Sequence, residues 1–296
     1  GETNIRFMDY RKFAYLFSGI LIVAGVVSLI SHGGPRLGVD FTGGTLIQVA
    51  LDPHQPAARV RAALSGTGGG KIELQSIGEE GGYLLRLPQS EEKAEAFPAI
   101  KDALEKHIPG VSVELRREET VGPRIGRELR SKVIWAVLWA LAGILVYVGW
   151  RYEFLFAVGA VIALFHDVFI TLGILSILNT EITLTVFAAL LTIAGYSIND
   201  TIVVFDRIRE QTKLLRREPL VKVMNLSINQ TLSRTVLTGV TTLFTAGALL
   251  FLGGEVIHDF ALTMCIGVGF GTFSSVYVAS ALALDLRGPR ETRMRK

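Results

Sequence analysis

Long apolar blocks alternate with polar stretches along the whole chain. Residues 13–30, 133–149, 154–178, 182–205, 234–252 and 260–284 are each predominantly apolar. A helix of roughly 20 such residues crosses a bilayer, so the pattern predicts six spans. The stretch between the first two blocks, residues 31–131, reads differently. Gly33-Gly34-Pro35 breaks the first helix. Alternation then predicts strands at 43–51, 71–77, 83–87 and 111–115, with a hairpin signal at Glu79-Glu80-Gly81-Gly82. Helical spacing predicts helices at 56–64 and 91–107, the second with Ala94, Phe97, Ile100, Ala103 and Leu104 on one face and Pro98 as a kink or break. The order β-α-β-β-α-β is that of the ferredoxin-like split arrangement.

The predicted fold is therefore a polytopic α-helical membrane protein with an α+β ferredoxin-like extracytoplasmic domain between helices 1 and 2. Its parts are 1–30 (N-terminus and first span), 31–131 (the inserted domain), 132–285 (spans two to six) and 286–296 (a basic tail). Basic residues assign the sides of the membrane. Arg6, Arg11 and Lys12, the Trp150-Arg151-Tyr152 loop, the 207–233 loop and the tail with Arg287, Arg290, Arg293, Arg295 and Lys296 fall together. By the positive-inside rule they, and both termini, are cytoplasmic.

Composition strengthens this reading. Half of the residues are hydrophobic, 19% are charged, and mean hydropathy is +0.43. A soluble domain carries about 25% charge. The net charge of +3 is modest and gives no nucleic-acid signal. A single cysteine, Cys265, rules out an intrachain disulfide and reads as a small buried hydrophobe. No signal-peptide cleavage pattern follows the first block. The start at Gly1-Glu2, without Met, fits a part of a longer polypeptide or an excised piece.

The candidate chemistry lies inside the spans. Thr192, Gly195, Tyr196, Asn199 and Asp200 recur at i, i+3, i+4, i+7 and i+8, one polar stripe on an apolar helix. A carboxylate costs about 2.5–3.5 kcal/mol at a span's centre, so this stripe is expected in a bundle interior or along a water-filled path. In the third span Gly159, Ala163, Asp167 and Thr171 recur every four residues beside His166. In the fifth, Arg234, Thr238, Thr241, Thr242 and Thr245 line up. Asp200 lies about 9 Å of helix rise before Asp206, and Arg234 is at similar depth if the fifth helix begins near Ser227, so the two charges are expected to pair. Burial and a neighbouring guanidinium act in opposite senses on a carboxyl's hold on its proton, which suits a proton carrier. The plainer alternatives are a carboxylate at 200 or 167 that only pins helices by hydrogen bonds, and an Arg234 that only anchors the helix end. The ridge Gly267, Gly271, Ser275 and Ala279 in the sixth span reads as helix packing. No phosphate loop, zinc spacing or Ser/His/Asp set is recognisable, so no enzyme activity, cofactor or metal is expected. The glycine-rich Gly38-Val39-Asp40-Phe41-Thr42-Gly43-Gly44 precedes a strand and reads as a tight junction at the membrane surface.

Several stretches resemble the SecD/SecF family, on its SecF side. They are Gly38-Val39-Asp40-Phe41-Thr42-Gly43-Gly44, Val121-Gly122-Pro123, His166-Asp167-Val168, Gly195-Tyr196-Ser197-Ile198-Asn199-Asp200 with Asp206-Arg207-Ile208-Arg209-Glu210, and Gln230-Thr231-Leu232-Ser233-Arg234-Thr235. The resemblance covers nearly the whole chain in order. It implies membership of the resistance-nodulation-division superfamily and a place in the bacterial inner membrane. It implies a complex with SecD, separate or fused, beside the SecYEG translocon, with YajC as a further partner and the preprotein as cargo. It further implies use of the proton gradient to draw secreted chains outward, with Asp200 and Arg234 in the proton path and protons as the coupling ion. Asn199, Asp167 and His166 are the further candidates for that path, and Gly38, Asp40, Phe41, Gly43 and Gly44 form the junction motif. Two other functions stay open: a non-conducting scaffold of the translocon, and a small-molecule exporter of the wider superfamily.

Overall fold

The computed structural model describes residues 3–65, 72–77, 82–87, 96–152 and 154–287. Six helices among them are long and apolar enough to cross a membrane. After a 3-10 turn (Phe7–Tyr10) come helices α1 (Arg11–Ser31) and a short α2 (Val39–Thr42), strand β1 (Gly44–Asp52), α3 (Ala57–Leu64), β2 (Glu73–Ile77), β3 (Gly82–Leu87), α4 (Ala96–His107) and β4 (Ser112–Val121). Helices α5 (Pro123–Arg151), α6 (Phe154–Ile177), α7 (Leu184–Leu214), α8 (Leu220–Leu252) and α9 (Glu255–Ser274) follow. A π turn (Ser275–Ala279) then leads into α10 (Ser280–Arg287). The chain divides into two units, residues 37–135 and residues 1–36 with 136–296.

The 37–135 unit holds a four-stranded antiparallel sheet of order β2-β3-β1-β4. Period-2 alternation puts Ile47, Val49 and Leu51 of β1 and Tyr83, Leu85 and Leu87 of β3 in one core. Val60 and Leu64 of α3 and Ile100 and Leu104 of α4 close that core. The Tyr83 hydroxyl donates to the Gln55 carbonyl, and burial pushes its phenol pKa up. Pro98 neither kinks nor splits α4. The helix runs without interruption from Ala96 to His107. The predicted hairpin residues Glu79, Glu80 and Gly81, the first part of the 91–107 helix with Ala94, and the basic tail with Arg290, Arg293, Arg295 and Lys296 lie outside the described residues.

Two predicted boundaries move. The 207–233 loop is mostly helix: α7 continues to Leu214 and α8 begins at Leu220, fourteen residues before the expected start at Arg234. Val223, Met224, Ser227, Ile228 and Thr231 recur on one buried face of α8, so packing extends a helix whose surface face is too polar to read as a span. Likewise α5 begins at Pro123, at the N-terminal position proline favours, rather than at 133.

In the other unit, glycine sets the closest helix approach. A Cβ on Gly25 of α1 would lie 2.7 Å from the Gly173 Cα of α6. The ridge on α9 meets α7 as its spacing predicts, with Gly267 against Ile193 and Gly271 against Ser197. The N-terminal segment is tied down by two asparagines of α8. Asn229 Oδ1 accepts from the Ile5 amide at 2.9 Å while its amide donates to the Ile5 carbonyl at 2.8 Å, and Asn225 Oδ1 accepts from the Met8 amide at 2.9 Å. Each such bond is worth about 0.5–1.5 kcal/mol. Asn229→Ala is therefore expected to speed amide exchange at Ile5 roughly three- to tenfold, read by hydrogen–deuterium exchange, with the α6 amides unchanged.

Candidate functional site

Polar side chains from α1, α6, α7 and α9 meet around Asp167, which is fully buried. Its Oδ1 faces His166 Nδ1 at 2.9 Å, and its Oδ2 accepts from Ser197 Oγ at 2.5 Å and Ser274 Oγ at 2.6 Å. His166 Nε2 reaches Ser18 Oγ of α1 at 2.8 Å. A proton on Nδ1 then serves Asp167 while Nε2 accepts from Ser18. Asp167 faces inward with Gly159, Ala163 and Thr171, which recur every four residues on one buried side of α6, and His166 beside it is buried too.

The second cluster lies one turn along α7. Asp200 is 5% exposed, and its Oδ1 accepts from Thr235 Oγ1 of α8 at 2.7 Å. Its Oδ2 is buried and forms no hydrogen bond of normal geometry among the described residues, although the Ser275 hydroxyl is near enough to act on the carboxylate. Next to it, the Thr201 and Ser275 hydroxyls are 3.1 Å apart, and Ser275 Oγ also donates to the Gly271 carbonyl at 2.9 Å and the Ser197 carbonyl at 3.4 Å. Ser275 opens the π turn, whose wider winding is seen where the Ser280 hydroxyl donates to the Ser275 carbonyl. Ser197, Ser274 and Ser275 thus lie between the two carboxylates.

Arg234 is placed otherwise than expected. Its side chain is exposed, and among the described residues it forms no ion pair with Asp200, although it is near enough to act on it electrostatically. Successive residues of a helix point about 100° apart. Turning Thr235 toward Asp200 therefore turns Arg234 away. Asn199, one residue before Asp200, is exposed for the same reason. Much of the polar stripes, expected in a bundle interior or along a water-filled path, is at the surface of this chain: Thr192, Gly195 and Asn199 on α7, and Arg234, Thr238, Thr241 and Thr245 on α8. The threonines bear this cheaply, since Thr238, Thr241 and Thr245 each donate to the carbonyl four residues back. The guanidinium of Arg234 makes no such local bond among the described residues.

As site residues, sequence reasoning missed Ser18, Ser197, Thr201, Thr235 and Ser274, and took Ser275 as packing alone. Serine and threonine are ordinary in membrane helices, so nothing in composition distinguishes those that face a carboxylate. The spacing Ser197–Asp200–Thr201 on one face was the available signal.

The junction motif forms a compact turn within the 37–135 unit. Gly43 and Gly44 have φ of 74° and 122°, a left-handed path that side chains other than glycine resist. That path joins α2 to β1. Gly126 of α5 packs against it, since a Cβ there would lie 3.2 Å from the Gly43 nitrogen and the Phe41 oxygen. Arg130 donates to the Phe41 carbonyl and Arg86 to the Leu37 carbonyl, both at 3.1 Å. Asp40 lies in α2 between the buried Val39 and Phe41, two residues after Gly38.

Comparison with known proteins draws these features together. Residues 100–288 match the family model "Protein export membrane protein SecD/SecF, C-terminal", and residues 28–53 match "SecD/SecF GG Motif". The chain is 45% identical to the protein translocase subunit SecF of Vibrio alginolyticus, over 99% of this chain and 93% of that one. It is 47% identical to the SecF of Magnetococcus marinus, over 95% and 92%. Its structure resembles the crystal structure of SecDF, a translocon-associated membrane protein from Thermus thermophilus, with a TM-score of 0.86 at 39% identity over 97% of this chain. The chain covers 39% of that SecDF chain's length.

Proposed function

Because the chain belongs to the SecD/SecF family of protein-export membrane proteins, we propose that it works as the SecF subunit of a SecDF-type complex that uses the proton motive force to assist export through SecYEG. It is a multi-pass membrane protein. In this reading it lies in the bacterial inner membrane as a member of the resistance-nodulation-division superfamily, with both termini cytoplasmic. The β-α-β-β-α-β unit is ferredoxin-like and extracytoplasmic. SecD is the partner, fused or separate, with SecYEG, YajC and the preprotein beyond it. The chain is a transport accessory rather than an enzyme, and the proton is its coupling ion, with no cofactor.

One observation carries the proton reading. Asp200 is buried in a membrane span with one oxygen on Thr235 and the other without a hydrogen bond of normal geometry among the described residues. It sits beside a surface that presents Arg234 and Asn199. A neighbouring membrane chain that covers this surface would enclose a carboxylate, a guanidinium and a string of hydroxyls. A proton on Asp200 changes what Thr235 and that neighbour are bonded to, and so changes the packing of α7 on α8. Moving one charge through 100 mV supplies about 2.3 kcal/mol, enough to bias a two-state arrangement, which the inserted unit then follows. Asp167, His166 and the serines between would extend the path inward.

The experiment is reconstitution of the chain with its SecD partner in vesicles carrying a pH gradient. Proton flux that rises when an unfolded preprotein is engaged is expected. A scaffold is the competing reading, favoured by the complete bonding of Asp167 to His166, Ser197 and Ser274. It predicts undiminished export in cells carrying Asp200→Asn with Arg234→Met.

A further inference from the structure

Where α5 ends and α7 emerges, a cavity of about 420 Å³ opens among Trp150, Arg151, Tyr152, Phe205, Arg209 and Lys213, with Phe156 and Thr212 completing the lining. Its size falls within the roughly 300–1,000 Å³ of small-ligand pockets. Its floor is apolar and rigid. Phe156 and Tyr152 meet the edge or face of Phe205 at 5.0 and 6.0 Å between ring centroids, and all three are buried. Its rim is cationic. Arg151 is held by Asp206 Oδ1 at 2.8 Å and over the Tyr152 ring at 5.3 Å. Arg209 is exposed and, among the described residues, bonds to this frame through the Arg151 carbonyl at 3.3 Å, and Lys213 is exposed one turn further on. Of the acidic groups nearby, Asp206 is taken up by Arg151 and Glu210 by Arg207, while Glu153 lies outside the described residues. The two outer cations are thus set over an apolar floor, while the Thr212 hydroxyl turns back to donate to the Ile208 carbonyl at 2.7 Å.

The position selects among anions. The cavity sits at the ends of three apolar helices, where a bilayer's headgroups meet water. Directly below its mouth, α5 presents an exposed apolar stripe, Trp139, Val146 and Trp150, at 73%, 71% and 87% exposure. Gly143 lies on the same face with nothing within 4 Å of a Cβ, leaving a notch in the stripe. A phosphodiester in the cavity would have its glyceride beside this stripe. Basic pockets between membrane helices are known to suit anionic headgroups.

The geometry points to a binding site for an anionic glycerophospholipid, its phosphodiester between Arg209 and Lys213 and its acyl chain along Trp139–Gly143–Val146. This site is independent of the proton path.

The test uses the full chain purified in mild detergent, titrated in separate arms with phosphatidylglycerol, phosphatidylcholine and inorganic phosphate, and read by native mass spectrometry. The expected result is one retained phosphatidylglycerol, bound at least tenfold more tightly than phosphatidylcholine and not displaced by millimolar phosphate. Arg209→Gln with Lys213→Gln should lower that affinity at least tenfold, while the charge-preserving pair Arg209→Lys and Lys213→Arg should keep it. Bromine-labelled phosphatidylglycerol should quench Trp150 in an otherwise unaltered chain whose other two tryptophans are phenylalanine. Unchanged phosphatidylglycerol binding in the glutamine pair overturns the site, as does absence of quenching. Phosphate that displaces the lipid at equal affinity overturns the lipid assignment in favour of a soluble anion.

Discussion

Asp200→Asn is expected to bring proton-driven export down at least tenfold, to the level seen with no gradient. The substitution keeps shape and keeps an oxygen for the Thr235 hydroxyl, so the 2.7 Å bond between α7 and α8 can persist. What it removes is the ability to gain and lose a proton at a place 5% exposed in this chain. If Asp200 only pinned α7 to α8, Asn would serve nearly as well, because an amide oxygen accepts the same bond. Asp200→Asn therefore separates chemistry from bracing, which a truncation to Ala would not. Flux across vesicles and export of a reporter preprotein measure the effect, and full activity in both would remove the proton reading. Thr235→Val is the companion variant. It leaves both oxygens of Asp200 without a hydrogen bond of normal geometry among the described residues and is expected to cost part of the activity and some stability, about 1–3 kcal/mol for an orphaned buried acceptor.

Gly173→Leu and Gly25→Leu are expected to have the largest structural effect. A Cβ at Gly173 would come within 2.8 Å of the Gly25 Cα, and the obstacle is backbone, which cannot swing aside. α1 would have to leave α6. Over-packing of this kind costs about 1–3 kcal/mol, occasionally more, and four added carbons sit at the upper end. Separation would also stretch two bonds that join these helices, Ser18 to His166 at 2.8 Å and Ser28 to Ser176 at 2.9 Å. His166 would then lose one of its two partners while still buried. Thermal unfolding in detergent should shift down by several degrees. Gly19→Leu, on the same helix but with nothing within 4 Å, should unfold with the wild type. Equal melting of all three would show that the close approach does not hold the bundle together.

Some features could be read before any coordinates. Six apolar blocks, strands at 43–51 and 83–87 and a small-residue ridge on the last span follow from local periodicity, and each has a counterpart in the structure. The 207–233 segment did not read as helix because its polar surface face hid an apolar one, and only Val223, Met224 and Ile228 packed in the core reveal it.

The amino-acid order alone determined that this is a membrane protein with carboxylates inside its spans and a polar unit between the first two. Those are statements about transfer from water, which each residue makes for itself. Which side chain each carboxylate meets was decided only by the tertiary structure. Helix rotation and axial register are set by the sum of many small contacts, with Gly25 on Gly173 and Gly267 on Ile193 among the tightest. A rotation of one residue, about 100°, separates an Asp200 that meets Arg234 from one that meets Thr235.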